Sequence, residues 1–337
     1  MPQNTPPEPC LMNVPNRKSP ILVVTTLLAL VVCVRAADRA PRNADAAKGS
    51  SPKAERADTA RELRPGPDKV VVFKNTPQGE LRAHIYFPPG WSARDRRPAI
   101  VLWSGGGFQL GTAGQFFHQA KYFASRGLVA ICPEYRGRSR HKILIDSCVE
   151  DARSAMRWVK GRAAELGIDP ARVIASGGSA GGTLSLLVAR NVGPDAKDDD
   201  LSVSTRPCAL VLYNPAIGES VLERIGRGGP AQAPINAQIV TLNLPQKDEP
   251  PVIMFYGTAD RPFLDRAGEF NRQALAQGSR CELWIADKMA HSFFNNQPWR
   301  SATARKADEF LVSLGYLKGP PTLREDPAAR LTLVGKE

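Results

Sequence analysis

From residue 99 onward the chain alternates two kinds of stretch, and that alternation limits what it can fold into more than any other feature. Short, largely apolar runs recur at Ala99–Trp103, Leu128–Cys132, Val173–Ser176, Ala209–Tyr213, Val252–Tyr256 and Glu282–Ile285. Amphipathic stretches lie between them, around Gln115–Arg126, Cys148–Leu166, the segment after Ser179 and Asp265–Gln277. A strand apolar on successive residues needs cover on both faces, so this pattern predicts a parallel sheet sandwiched between helices. The stretch ending at Leu166 carries Ala152, Ala155, Met156 and Val159 at helical spacing, and Gly167 then Asp169-Pro170 end it. Ahead of the alternation, Val70–Phe73 and Leu81–Phe87 read as an antiparallel pair turning at Gly79. The sum is an eight-stranded, mostly parallel sheet with no internal repeat.

The ends of the chain read differently. Arg17-Lys18 precede the uncharged run Ile21–Val34, which leads to Arg35-Ala36-Ala37. That is the pattern of a secretory signal peptide over residues 1–36, cut after Ala36, with Met12 the expected start of translation. The run is too short to span a membrane, which takes about 20 apolar residues. Cleavage removes Arg17, Lys18, Arg35 and Glu8, taking the formal charge from +12 to +10 and the cysteines from six to four. The expected location is therefore periplasmic or extracellular. Residues 37–66 mix Ala, Pro, Ser and alternating charge with almost nothing large and apolar, as in a disordered linker. The folded domain is expected over 67–320, with a lid or cap over 214–250 and a tail over 321–337. Lys and Arg are scattered rather than clustered, so the basic balance indicates a solvated surface and no nucleic-acid partner. Cys132, Cys148, Cys208 and Cys281 show no metal-ligand spacing; an exported protein could pair them, but three fall in or at the end of apolar strand-like runs, where a buried free thiol is the commoner state.

One motif sits inside this frame. Arg172–Arg190 reads RVIASGGSAGGTLSLLVAR, strand to tight turn to helix, and places Ser179 at the apex of a Gly177-x-Ser179-x-Gly181 elbow. Small neighbours let strand and helix approach closely there. A serine hydroxyl needs an imidazole to take its proton and a carboxylate to orient the imidazole. Among the four histidines, His84 lies in an alternating strand, His118 in a helix and His141 in a basic loop. His291 follows the last strand and is the expected base. Asp260, at the carboxyl end of the penultimate strand, is the expected acid. Asp265 is better explained as a helix N-cap and Asp287 as a turn residue. Backbone donors for an oxyanion are expected from Ala180, Gly105 and Gly106, the glycines belonging to Ser104-Gly105-Gly106-Gly107. A dinucleotide loop fails on spacing, since Leu110 stands where the third glycine is required.

Over residues 70–318 the chain resembles the carboxylesterase and acetyl-esterase branch of the α/β hydrolases, related to the hormone-sensitive-lipase group and including secreted acetylxylan-esterase-like members. The resemblance rests on the triple glycine, Glu134-Tyr135-Arg136, Asp151–Val159, Gly177–Gly182, Gly257-Thr258-Ala259-Asp260 and His291-Ser292-Phe293-Phe294-Asn295. It implies an α/β-hydrolase fold and a cofactor-independent serine esterase acting on short-chain or carbohydrate-linked esters. Two positions depart from the family pattern. Ser104 stands where histidine usually orients the glycine loop, and Ser292 where glycine is common. Two other functions fit the same residues: a lipase or thioesterase of the same fold, and a catalytically silent envelope-binding protein.

Overall fold

A computed structural model of the chain describes residues 65–335. The expected signal peptide over 1–36, the Met12 start and, save residues 65 and 66, the linker over 37–66 lie outside the described residues.

Among the described residues nine strands form one sheet: β1 (Lys69–Thr76), β2 (Gly79–Tyr86), β3 (Arg97–Trp103), β4 (Val129–Pro133), β5 (Ile168–Gly178), β6 (Leu210–Tyr213), β7 (Val252–Gly257), β8 (Cys281–Ala286) and β9 (Leu331–Leu333). Their order is β1-β2-β4-β3-β5-β6-β7-β8-β9. Pairing is parallel from β4 through β8, and antiparallel at β1–β2, β2–β4 and β8–β9. The helices are α1 (Phe117–Ser125), α2 (Arg138–His141), α3 (Ile145–Gly161), α4 (Ala163–Leu166), α5 (Ala180–Ala189), α6 (Ser220–Ile225), α7 (Ala233–Val240), α8 (Phe263–Ala276) and α9 (Trp299–Ser313).

β3 shows why the apolar runs fold as central strands. Ala99, Val101 and Trp103 join the core that also holds Met156 of α3, Leu184 of α5 and Phe270 of α8. Ile100 and Leu102 point the other way, into the core with Phe123 of α1 and Phe310 of α9. Each face has its own helical cover, as a strand apolar on both sides requires.

Three differences from the sequence reading stand out. The stretch expected as one helix to Leu166 breaks at Arg162 into α3 and α4. The tail over 321–337 is not merely a tail: Leu331, Thr332 and Leu333 pair with Ala286, Ile285 and Trp284, adding a ninth strand at the sheet edge. Residues 214–250 fold into α6, α7 and short 3-10 turns, whose Ile217, Val221, Leu222, Ile235, Ile239 and Leu242 are buried in the main core. This segment packs onto the domain as one of its layers. Among the described residues no helix is long and apolar enough to cross a membrane.

Candidate active site

The site is built where β5 turns into α5. Ser179 occupies the turn with φ 51° and ψ −120°. A non-glycine residue held at such φ stores roughly 1–3 kcal/mol of strain, tolerated only where the surroundings fix it. Here they do. Ser179 N–H donates to Tyr213 C=O at 2.9 Å, tying the turn to β6. A Cβ on Gly181 would stand 2.0 Å from Trp103 O, and one on Gly177 2.4 Å from the Gly181 carbonyl carbon. The glycines of the motif are thus the spacing the elbow needs to lie against β3. A Cβ on Gly178 would strike the Phe294 ring at 2.5 Å.

The three expected side chains meet. His291 Nε2 lies 2.8 Å from Ser179 Oγ, and His291 Nδ1 lies 2.9 Å from both Oδ1 and Oδ2 of Asp260. With a proton on Nδ1, the ring donates to the carboxylate and leaves Nε2 to accept from the serine hydroxyl. Asp260 is buried and His291 partly so, its ring resting against Phe263 at 5.5 Å. The rival carboxylates lie elsewhere. Asp265 falls in the first turn of α8 rather than at its N-cap, which is Pro262, and pairs with Arg261. Asp287 accepts from Thr258 Oγ1 at 3.3 Å. Of the other histidines, His141 Nδ1 accepts from Gly137 N–H at 2.8 Å and His84 faces Glu134 at 3.9 Å.

One oxyanion donor needs correcting. Gly105 N–H donates to Gln115 Oε1 at 2.6 Å and is therefore committed. Its Cα instead sets the approach of the loop, because a Cβ there would stand 2.7 Å from Gly178 O. Gly106 and Ala180, with Gly107 beside Gly106, border the same cavity as Ser179 and His291.

That cavity holds about 440 Å³, with Phe108, Ala216, Val221 and Phe263 supplying apolar walls. A second, polar chamber of about 570 Å³ adjoins it at Gly106 and is lined by Ser104, Thr112, Gln115, His118, Asn295, Asn296 and Arg300, among others. Sequence reasoning missed Asn214. This residue is fully buried with φ 44°; its Nδ2 donates to Asp260 Oδ2 at 2.6 Å and its Oδ1 accepts from Ser292 N–H at 3.3 Å. The available signal was its place, one residue past β6 and beside the elbow. Tyr135 and Asp151, which lie in the segments that carry the family resemblance, also gain structural roles. Tyr135 OH donates to Ser104 C=O at 2.9 Å, and Asp151 is buried against Arg136 (2.8 Å) and Lys74 (2.7 Å). Cys132, Cys148, Cys208 and Cys281 are free thiols.

Fold and geometry together define an α/β hydrolase with a serine, histidine and aspartate in contact. Comparison with known proteins agrees. The family model described as BD-FAE matches residues 83–207. Esterase 2 of Thermogutta terrifontis, in its apo form, is 38% identical, covering 76% of this chain and 98% of that one at a TM-score of 0.67. The same enzyme in propionate-bound and butyrate-bound forms matches at a TM-score of 0.65. Carboxylesterase NlhH of Mycobacterium tuberculosis is 34% identical over 118 residues, 34% of this chain and 36% of that protein. The matched part thus spans about a third of that relative's length. The chain belongs to the carboxylesterase family of α/β hydrolases, in its hormone-sensitive-lipase-like branch.

Proposed function

We propose that the protein hydrolyses short-chain carboxylic esters, including acetyl-type esters of hydroxyl-rich alcohols such as carbohydrates, through Ser179, His291, Asp260 and an acyl-enzyme. Ser179 Oγ attacks the acyl carbon as His291 Nε2 takes its proton. Asp260 stabilises the imidazolium that forms. The oxyanion is met by backbone N–H groups of Gly106 and Ala180 at the start of α5, whose dipole favours negative charge. His291 then returns the proton to the leaving alkoxide, and water releases the acid by the same steps reversed.

The observation that carries this reading is the unbroken contact from Asp260 through His291 to Ser179, at 2.9 and 2.8 Å, opening on a cavity walled in part by Phe108, Ala216, Val221 and Phe263. The propionate and butyrate held by the similar Thermogutta esterase support a short acyl chain. The adjoining polar chamber supports a polar alcohol. A panel of aryl esters from acetate to decanoate, run beside acetylated sugars, tests it. Rates are expected to peak between acetate and butyrate and to extend to the sugars. A peak at long chains would favour a lipase or thioesterase instead, and no hydrolysis at all a silent binding protein. We also propose export, directed by residues 1–36; sequencing the N-terminus of secreted protein should find Ala37 first.

A further inference from the structure

The residue ahead of the glycine loop gives that loop no side-chain anchor: Ser104 is buried, and its Oγ meets no partner among the described residues. Yet the loop lies directly on the nucleophile's turn, with no room for a Cβ at Gly105. What holds it is a peptide unit gripped at both edges. The Ser104 carbonyl accepts from Tyr135 OH at 2.9 Å, and the N–H of the same peptide, that of Gly105, donates to Gln115 Oε1 at 2.6 Å. A peptide is planar, so two hydrogen bonds on opposite edges fix its rotation. With that plane fixed, the direction of the Gly106 N–H depends only on Gly105's own dihedrals. Gln115 then reaches further. Its Nε2 donates to Asn295 Oδ1 at 3.1 Å, and Asn295 closes the 3-10 turn Phe293–Asn295 that follows His291 and Ser292.

We propose that Gln115 is a positioning residue for catalysis. Its amide is a strut that holds the oxyanion-binding glycine loop at a set distance from the loop carrying the general base. One side chain thereby keeps the donor that meets the developing charge in register with the imidazole that moves the proton. This rests on the esterase reading above. It also accounts for the commitment of the Gly105 N–H, which is spent on alignment rather than on the oxyanion.

Gln115 and Asn295 are only partly buried, so both can be replaced without opening the core. Gln115→Leu keeps the size and removes the strut. For a short-chain aryl ester, kcat is expected to fall about tenfold to a hundredfold, the scale on which a misplaced catalytic group acts. KM should stay within about twofold for an aryl ester, whose alcohol group makes no use of the polar chamber that Gln115 and Asn295 line. Asn295→Ala cuts the far end alone and should lower kcat several-fold. The double variant should be no slower than Gln115→Leu, since both cut one connection. Gln115→Asn, a shorter amide, should fall between. Native kcat in Gln115→Leu, a loss confined to KM, or losses that multiply in the double variant would each overturn the proposal. The wild-type protein run in parallel separates this test from the esterase reading, which fails only if the wild type is itself inactive.

Discussion

Asn214 and Asp260 share a hydrogen bond of 2.6 Å in a setting with no water-facing surface on the asparagine. A hydrogen bond to a charged group is worth about 1.5–3 kcal/mol, so Asn214→Leu should lower kcat roughly tenfold to a hundredfold by freeing one carboxylate oxygen. Steady-state kinetics with circular dichroism of the same sample checks this; unchanged kcat in a folded variant would remove Asn214 from the site. Asp260→Asn should cost more, on the order of 10⁴ in kcat, because the imidazole then takes the wrong tautomer. At this scale the sequence was legible where chemistry and chain order leave few choices. Four histidines and one elbow serine sufficed to bring 179, 260 and 291 together. Asn214 and Gln115 were not legible, because an amide side chain is given its meaning by the loops that fold around it. The same cause lies behind the Gly105 assignment: which of three glycine N–H groups is committed is decided by a side chain ten residues further on.

The elbow is the element on which the site depends, and its tolerance is set by backbone contacts rather than by propensity. Gly181→Ala would place a methyl group 2.0 Å from Trp103 O, with no flexible neighbour to yield. Such overpacking against backbone is expected to cost more than about 3 kcal/mol, read as a large loss of melting temperature or of soluble protein. Gly161→Ala is the control. That glycine ends α3, has nothing within 4 Å of its missing Cβ, and should become more stable by up to about 1 kcal/mol in the same melting assay. Strand and helix identity was legible because fully apolar runs and 3.6-residue spacing leave little ambiguity. β9 was not: Leu331-Thr332-Leu333 is a three-residue strand beyond a polar stretch, and only the open edge of β8 defines it. α9 likewise lacks a strong apolar stripe; Ala304, Ala307, Phe310 and Leu311 find their cover only once the sheet exists.

Across the whole molecule, charge pairs tie together segments far apart in sequence. Arg190, at the end of α5, forms an ion pair with Glu249 at 2.8 Å, the two side chains 4% and 1% exposed. It also donates to the carbonyls of Thr241, Leu242 and Leu244, so it fixes the segment after β6 against the main body. Arg190→Met leaves Glu249 buried and unpaired, and should destabilise the fold by about 3–5 kcal/mol in denaturant titration. Burial pushes the Cys281 thiol up to about 12, and it pushes Cys132 and Cys148 well above the usual thiol range; Cys208 is raised too, but it is only half-buried where the other three are buried. Thiolate is the reactive form, so peptide mapping after mild alkylation at neutral pH should find Cys208 modified first among these four. Cys132, Cys148 and Cys281 should react only on unfolding. The fold class followed from the sequence at this scale, since the alternation of runs leaves one architecture.

Whether Ser179 is the nucleophile of an ester hydrolase can be read out by covalent labelling of the active site. A fluorophosphonate should modify the native protein once, on the peptide carrying Ser179, and abolish hydrolysis of an aryl acetate. Ser179→Ala should take no label and hydrolyse the same ester at least about 10³-fold more slowly. Label on any other serine, or near-native turnover by Ser179→Ala, would show that Ser179 is not the nucleophile.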